Sequence, residues 1–229
     1  MKLERGLFRA TLAALATLSL VSISGPDLRA EGAPAVPPAT SSSPAVSSRS
    51  RSPWSVAVYH SVMTDNSLSD VLTAHVTLHY GFLDSVDVSY QVAENLFEGH
   101  PDGSYPFWRP FAGSLSVAGN LTRRTGDPNG PMFEFDSYVL WRSRHVPVSP
   151  FLASTFAVGD GVSYATRVPA REVGGQHLMN FLTLEGTLGL PSHRGVDLVL
   201  RVHHRCDAWG LFGPGAATNA LGMGVRYSF

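Results

Sequence analysis

The stretch VDLVLRVHHRC, residues 196–206, decides the fold. At a period of two it has unlike faces: Leu198, Leu200 and Val202 on one side, Asp197, Arg201 and His203 on the other. Successive side chains leave a β-strand on opposite sides, so the alternation predicts a strand. The same period recurs across the chain. In SVDVSYQVAEN (85–95), Val86, Val88, Tyr90 and Val92 oppose Ser85, Asp87, Ser89 and Gln91. In FAGSLSVAGN (111–120), Phe111, Leu115 and Val117 oppose Ala112, Ser114 and Ser116. In FEFDSYVLW (133–141), Phe133, Phe135, Val139 and Trp141 oppose Glu134, Asp136 and Tyr138. A half-buried soluble sheet alternates too. Here the polar faces carry Asp87, Asp136, Glu185, Arg201 and Arg226, which suits a small polar lumen better than a dry core. The segments also run to about ten residues, the length of a tilted membrane strand.

Eight such strands are expected, near 54–62, 84–95, 110–120, 133–142, 149–159, 177–190, 196–206 and 218–229. The predicted class is therefore all-β, an eight-stranded antiparallel transmembrane β-barrel. An even count puts both ends of the barrel chain on one side. RSRHVPVS (142–149) and LPSHRG (190–195) read as short periplasmic turns, and 96–109 as a longer one. The connections 63–83, 121–132, 160–176 and 207–217 read as extracellular loops, with TAHVTLHYGF (73–82) inside the first. Side chains fill the interior of so small a barrel, so function is expected on the loops or the outer wall. The chain ends LGMGVRYSF, with Leu221, Met223, Val225, Tyr227 and Phe229 on one face. This ending resembles the last strand of bacterial outer-membrane barrels, and so implies the barrel-assembly machinery as a partner.

The 229 residues suffice for one domain. Net charge is -1, which gives no electrostatic case for nucleic acid. MKLERGLFR followed by the apolar ATLAALATLSLVSIS reads as an export signal over 1–30, with Ala30 as the small residue before the cut. Residues 31–53 are rich in Pro, Ala and Ser with few bulky apolar groups, and read as a flexible spacer. The barrel domain is then 54–229. Cys206 is the single cysteine, which excludes an internal disulfide. The scattered histidines form no zinc pattern.

By parity the outward stripe of 196–206 runs Leu198, Leu200, Val202, His204, Cys206. An apolar, lipid-facing stripe thus ends in a histidine and a thiol. A histidine facing lipid is costly and asks for a reason. Side chains at i and i+2 share a face, roughly 6–7 Å apart at the backbone, so His204 can serve Cys206 as general base. The alternative is a histidine at headgroup height beside a small apolar filler. His203, Arg201 and Arg205 face inward, where they are expected to pair with lumen carboxylates. Arg167 and Arg171 lie in an outer loop, either as solvated charges or as contacts for lipid phosphates.

GDGVSYATRVP (159–169), LMNFLTLEGTLGLP (178–191) and residues 198–229 resemble the outer-membrane lipid A 3-O-deacylase family and its acyloxyacyl-hydrolase-like relatives. The resemblance covers about 159–229. It implies an eight-stranded barrel in the outer membrane of a Gram-negative cell. It also implies an ester hydrolase acting on the 3-position acyl chain of lipid A, with lipopolysaccharide of the outer leaflet as partner and no metal or cofactor. The family carries a His-x-Ser pair completed by an acid. His204 matches the histidine, and Cys206 occupies the serine position. Where the acid is expected the chain reads AATNALG, so Asn219 becomes the candidate to orient the imidazole, with Asn180 ranked after it for orientation or oxyanion stabilisation. Cysteine in place of serine and the missing acid leave a second reading open, a catalytically weakened structural or lipid-binding barrel.

Overall fold

The computed structural model describes residues 52–97, 111–144, 146–149, 152–190, 195–213 and 217–229. The expected signal, the spacer up to residue 51, most of the 96–109 connection and residues 191–194 lie outside the described residues.

Among the described residues nine strands form: β1 (Trp54–Thr64), β2 (Leu78–Leu96), β3 (Gly113–Thr125), β4 (Met132–Ser143), β5 (Val146–Ser149), β6 (Leu152–Ala165), β7 (Leu178–Gly189), β8 (Val196–Cys206) and β9 (Ala217–Ser228). All pair antiparallel. β5 is a short arm on β6, and the β4–β6 pairing closes the other eight into a barrel. Starting at Ala165, successive register partners are Glu134, Thr122, Ser85, Tyr59, Gly224, Val199 and Thr187. The line returns to β6 at Thr155, ten residues below Ala165. Ten residues of stagger over eight strands correspond to a tilt of about 40°.

The outer face is apolar. Val86 is 47% exposed while its neighbour Asp87 is 5% exposed, and Val117, Val139 and Leu198 project outward in the same way. The inward face is a dense ionic plug. Arg201 donates to the Asp87 carboxylate (3.3 Å), the Tyr138 hydroxyl (3.2 Å) and Thr183 (3.0 Å), and its guanidinium lies 4.5 Å from the Tyr59 ring centre. Arg142 donates to Glu185 at 2.7 Å. Near the loop end, Arg124 and His203 both reach Glu134, at 2.5 and 3.2 Å. Gly224 faces the lumen beside Tyr59, where an added Cβ would lie 2.0 Å from the Val58 carbonyl oxygen. Such pairing is what allows so many charges to be buried at once.

Several strand limits differ from expectation. LHYGF is not loop: β2 starts at Leu78, and its extra residues pair with β1 and β3 at Thr64 and Thr125. Met63 and Leu83 are buried there beside Ala220, giving the extension its own core. β3 and β6 likewise run on to Thr125 and Ala165, so the second and third outer loops shrink. The turn at 142–149 contains β5. The first outer loop holds a helix, α1 (Leu68–Leu72), started by Ser67, whose hydroxyl accepts from Asp70 N while the Asp70 carboxylate accepts from Ser67 N.

Candidate active site on the outer wall

β8 carries the outward stripe to the long-loop rim of the barrel. Antiparallel pairing sets Asn219 of β9 opposite His204, and Asn180 of β7 opposite Cys206. His204 Nδ1 lies 2.7 Å from Asn219 Oδ1. The Asn219 amide nitrogen donates to the Asn66 carbonyl at 2.8 Å. That second bond orients the amide, because only its nitrogen can donate to a carbonyl. Oδ1 therefore faces the imidazole, Nδ1 must carry a proton to donate to it, and the lone pair of a neutral ring lies on Nε2.

The thiol makes a separate arm. Cys206 Sγ donates to Asn180 Oδ1 at 3.5 Å. Asn180 Nδ2 donates to the Gly161 carbonyl (2.9 Å) and to Asp160 Oδ1 (3.1 Å). The structure thus joins His204 to Asn219 and Cys206 to Asn180. Among the described residues, no hydrogen bond links His204 directly to Cys206.

Two members escaped the sequence reading. Asp160 stands on the outward stripe of β6 between Val158 and Val162; a carboxylate interrupting an apolar stripe was the available signal. Asn66 acts through its backbone and left no signal. The stripe also differs from expectation in exposure. His204 is 7% exposed, against 46% for Leu198 on the same face. Thr64, Asn219 and Leu221 are buried there as well, although their parity is outward. The chain leaving β1 turns back at this point: Thr64 Oγ1 donates to Asn66 Oδ1 at 2.8 Å, and the Asn66 carbonyl meets Asn219. His204 is thus a shielded group at the rim, not an open one.

The remaining polar candidates have partners within the protein. His203 and Arg201 pair inside the lumen. Arg205 pairs inside with Glu172, a loop carboxylate that also accepts from Thr218 at 2.7 Å. Arg171 pairs with Asp65, and Arg167 donates to the Asn129 carbonyl at 2.8 Å.

No protein-family model matches this chain, and no curated protein matches it. Solved structures share its fold at low identity. The outer membrane enzyme PagL is 12% identical over 76% of this chain and 99% of that one, with a TM-score of 0.49. Neisserial surface protein A is 13% identical over 79% and 99%, with a TM-score of 0.46. The N-terminal β-barrel domain of Pseudomonas aeruginosa OprF is 9% identical over 79% and 100%, with a TM-score of 0.42. The likeness is one of fold, a small antiparallel barrel.

Proposed function

We propose that this protein is an esterase of the Gram-negative outer membrane that removes an ester-linked acyl chain from lipid A. The apolar belt of the closed barrel supports the membrane placement. The observation that carries the activity is the 2.7 Å contact between His204 and Asn219 on the outer wall. An oriented imidazole with a free Nε2 beside a thiol on the same strand face is the arrangement needed to activate that thiol.

In this reading Cys206 Sγ turns from Asn180 towards His204 by rotation about its Cα–Cβ bond. Its proton passes to His204 Nε2 as Sγ bonds to the ester carbonyl carbon. The tetrahedral centre collapses, the ester C–O bond breaks, and Nε2–H returns the proton to the departing sugar oxygen. Water then attacks the thioester and gives a proton to Nε2. The C–S bond breaks, the thiol is restored and the fatty acid leaves. Asn219 holds the ring through both proton transfers, as asparagine can in Cys-His-Asn sites. Asn180 offers the thiol only its Oδ1 acceptor, its amide nitrogen being engaged by Gly161 and Asp160, so in this reading it holds the resting Sγ.

A second reading rests on the Cys206–Asn180 bond. With the thiol held by Asn180 and His204 shielded, the wall would serve as a lipid-binding surface without turnover. Intact-protein mass spectrometry during reaction with an activated acyl ester in detergent separates the two. The esterase reading expects a transient acyl adduct on Cys206 in wild type, and far slower formation of that adduct in His204→Ala, which lacks the base. No adduct in either protein supports the second reading.

A further inference from the structure

The outer wall bears another polar feature, away from β7–β9. His60 of β1, Asp84 of β2 and Arg123 of β3 are successive register partners. All three lie on the outward face of the barrel. His60 Nδ1 sits 2.7 Å from Asp84 Oδ1, and the imidazole stacks on Phe82 at 5.5 Å. Asp84 is thereby satisfied within the protein. Arg123 is not: among the described residues it has no acidic or hydrogen-bonding partner. Thr125 shares its face two residues along. Below Arg123 the stripe continues with Leu121 and Val117, 45% and 48% exposed.

The barrel stagger gives the height of this stripe. From Leu200 the register line climbs through Met223 and His60 to Asp84, three strands away. At strand spacing and tilt, three steps rise by about 9 Å; four residues from Leu200 to His204 rise by about 10 Å. Asp84 is therefore level with His204, and Arg123 stands one step of about 3 Å higher. A free guanidinium at the upper edge of an apolar wall costs little only at the headgroup boundary, where an anion can meet it. Its planar fork matches phosphate.

We infer that Arg123, with Thr125, binds the phosphate of an outer-leaflet glycolipid whose acyl chains lie along Leu121 and Val117, at a site separate from the His204 wall. The inference rests on the outer-membrane placement but not on catalysis. Occupation of this site would set the depth of the barrel, and so the height at which esters meet His204.

Side-chain Nε–H NMR of ¹⁵N-arginine-labelled protein tests it, using the Cys206→Ala variant in maltoside micelles so that no lipid is consumed. The Arg123 resonance is assigned by its loss in Arg123→Gln. Phosphorylated lipid A should shift that resonance saturably. Dephosphorylated lipid A should bind it at least about tenfold more weakly, the loss expected with a charge-assisted contact worth ~1.4 kcal/mol. Inorganic phosphate alone should not saturate it at the same concentrations. No shift with phosphorylated lipid A overturns the inference, as does an equal shift with the dephosphorylated lipid or with inorganic phosphate. Because hydrolysis is absent from the experiment, its failure leaves the esterase proposal to its own test.

Discussion

His204 and Asn219 face each other across β8 and β9, with 2.7 Å between Nδ1 and Oδ1, and Asn219 is itself held by the Asn66 carbonyl. The pair couples the imidazole to the loop that follows β1. If Asn219 orients the ring, Asn219→Ala should lower kcat on a soluble acyl ester by about 10–100-fold, the worth of a hydrogen bond to a group that becomes charged. KM should change little. Asn219→Asp should recover most of the loss, because a carboxylate accepts the same Nδ1–H. A kcat unchanged in Asn219→Ala removes the residue from the account.

The lumen makes a separate claim on stability. Glu134 is fully buried and holds both Arg124 and His203. Glu134→Ala removes the nearer carboxylate of the buried Arg124, leaving it the longer pair to Glu172 at 3.6 Å, and should destabilise the barrel by about 3 kcal/mol. Urea titration in micelles reads this directly, and a loss below 1 kcal/mol would mean that the network behaves like an exposed one.

Orientation of the wall is tested by labelling. In a Cys206→Ala background, cysteine at Val86, Val117, Val139 or Leu200 should react with a lipid-restricted maleimide. Cysteine at Asp87, Ser116, Asp136 or Arg201 should not. A one-residue slip would reverse every assignment, so preferential labelling at Asp87 and Arg201 would reject the faces.

Just beyond the thiol, Ala208 and Trp209 have φ values of 48° and 57°, a left-handed pair that L-residues adopt at a cost. Ala208→Gly should therefore relieve about 1 kcal/mol locally. Slower amide exchange across 207–213 is the expected result; faster exchange would show that the alanine side chain contributes packing there.

Much of this barrel was legible in its period-two pattern. The faces of β4 and β8 follow from charges that cannot sit in hydrocarbon, that of β3 from its serines, and parity alone put His204, Cys206 and Asn219 on the outer wall. The strand tops were not legible, because β2 above Asp84 runs through His79, Tyr80 and Gly81 without clean alternation, and its register against β1 shifts between Val62 and Thr64. The shielding of His204 was not legible either. It depends on the Asn66 backbone, and a carbonyl contact leaves no residue pattern. Asp160 was visible as a carboxylate in an apolar stripe, but its link to Cys206 passes through Asn180 and needs the register of two strand pairs.

In the proposed reaction this wall cuts an ester of lipid A through Cys206. Mass spectrometry of lipid A after incubation with the reconstituted barrel tests it most directly. Wild type should yield lipid A lighter by one acyl chain together with the free fatty acid, Cys206→Ala should leave it intact, and Cys206→Ser should retain activity if His204 can activate a hydroxyl at this spacing. Unchanged lipid A with the wild-type protein, or equal deacylation by Cys206→Ala, would contradict the account.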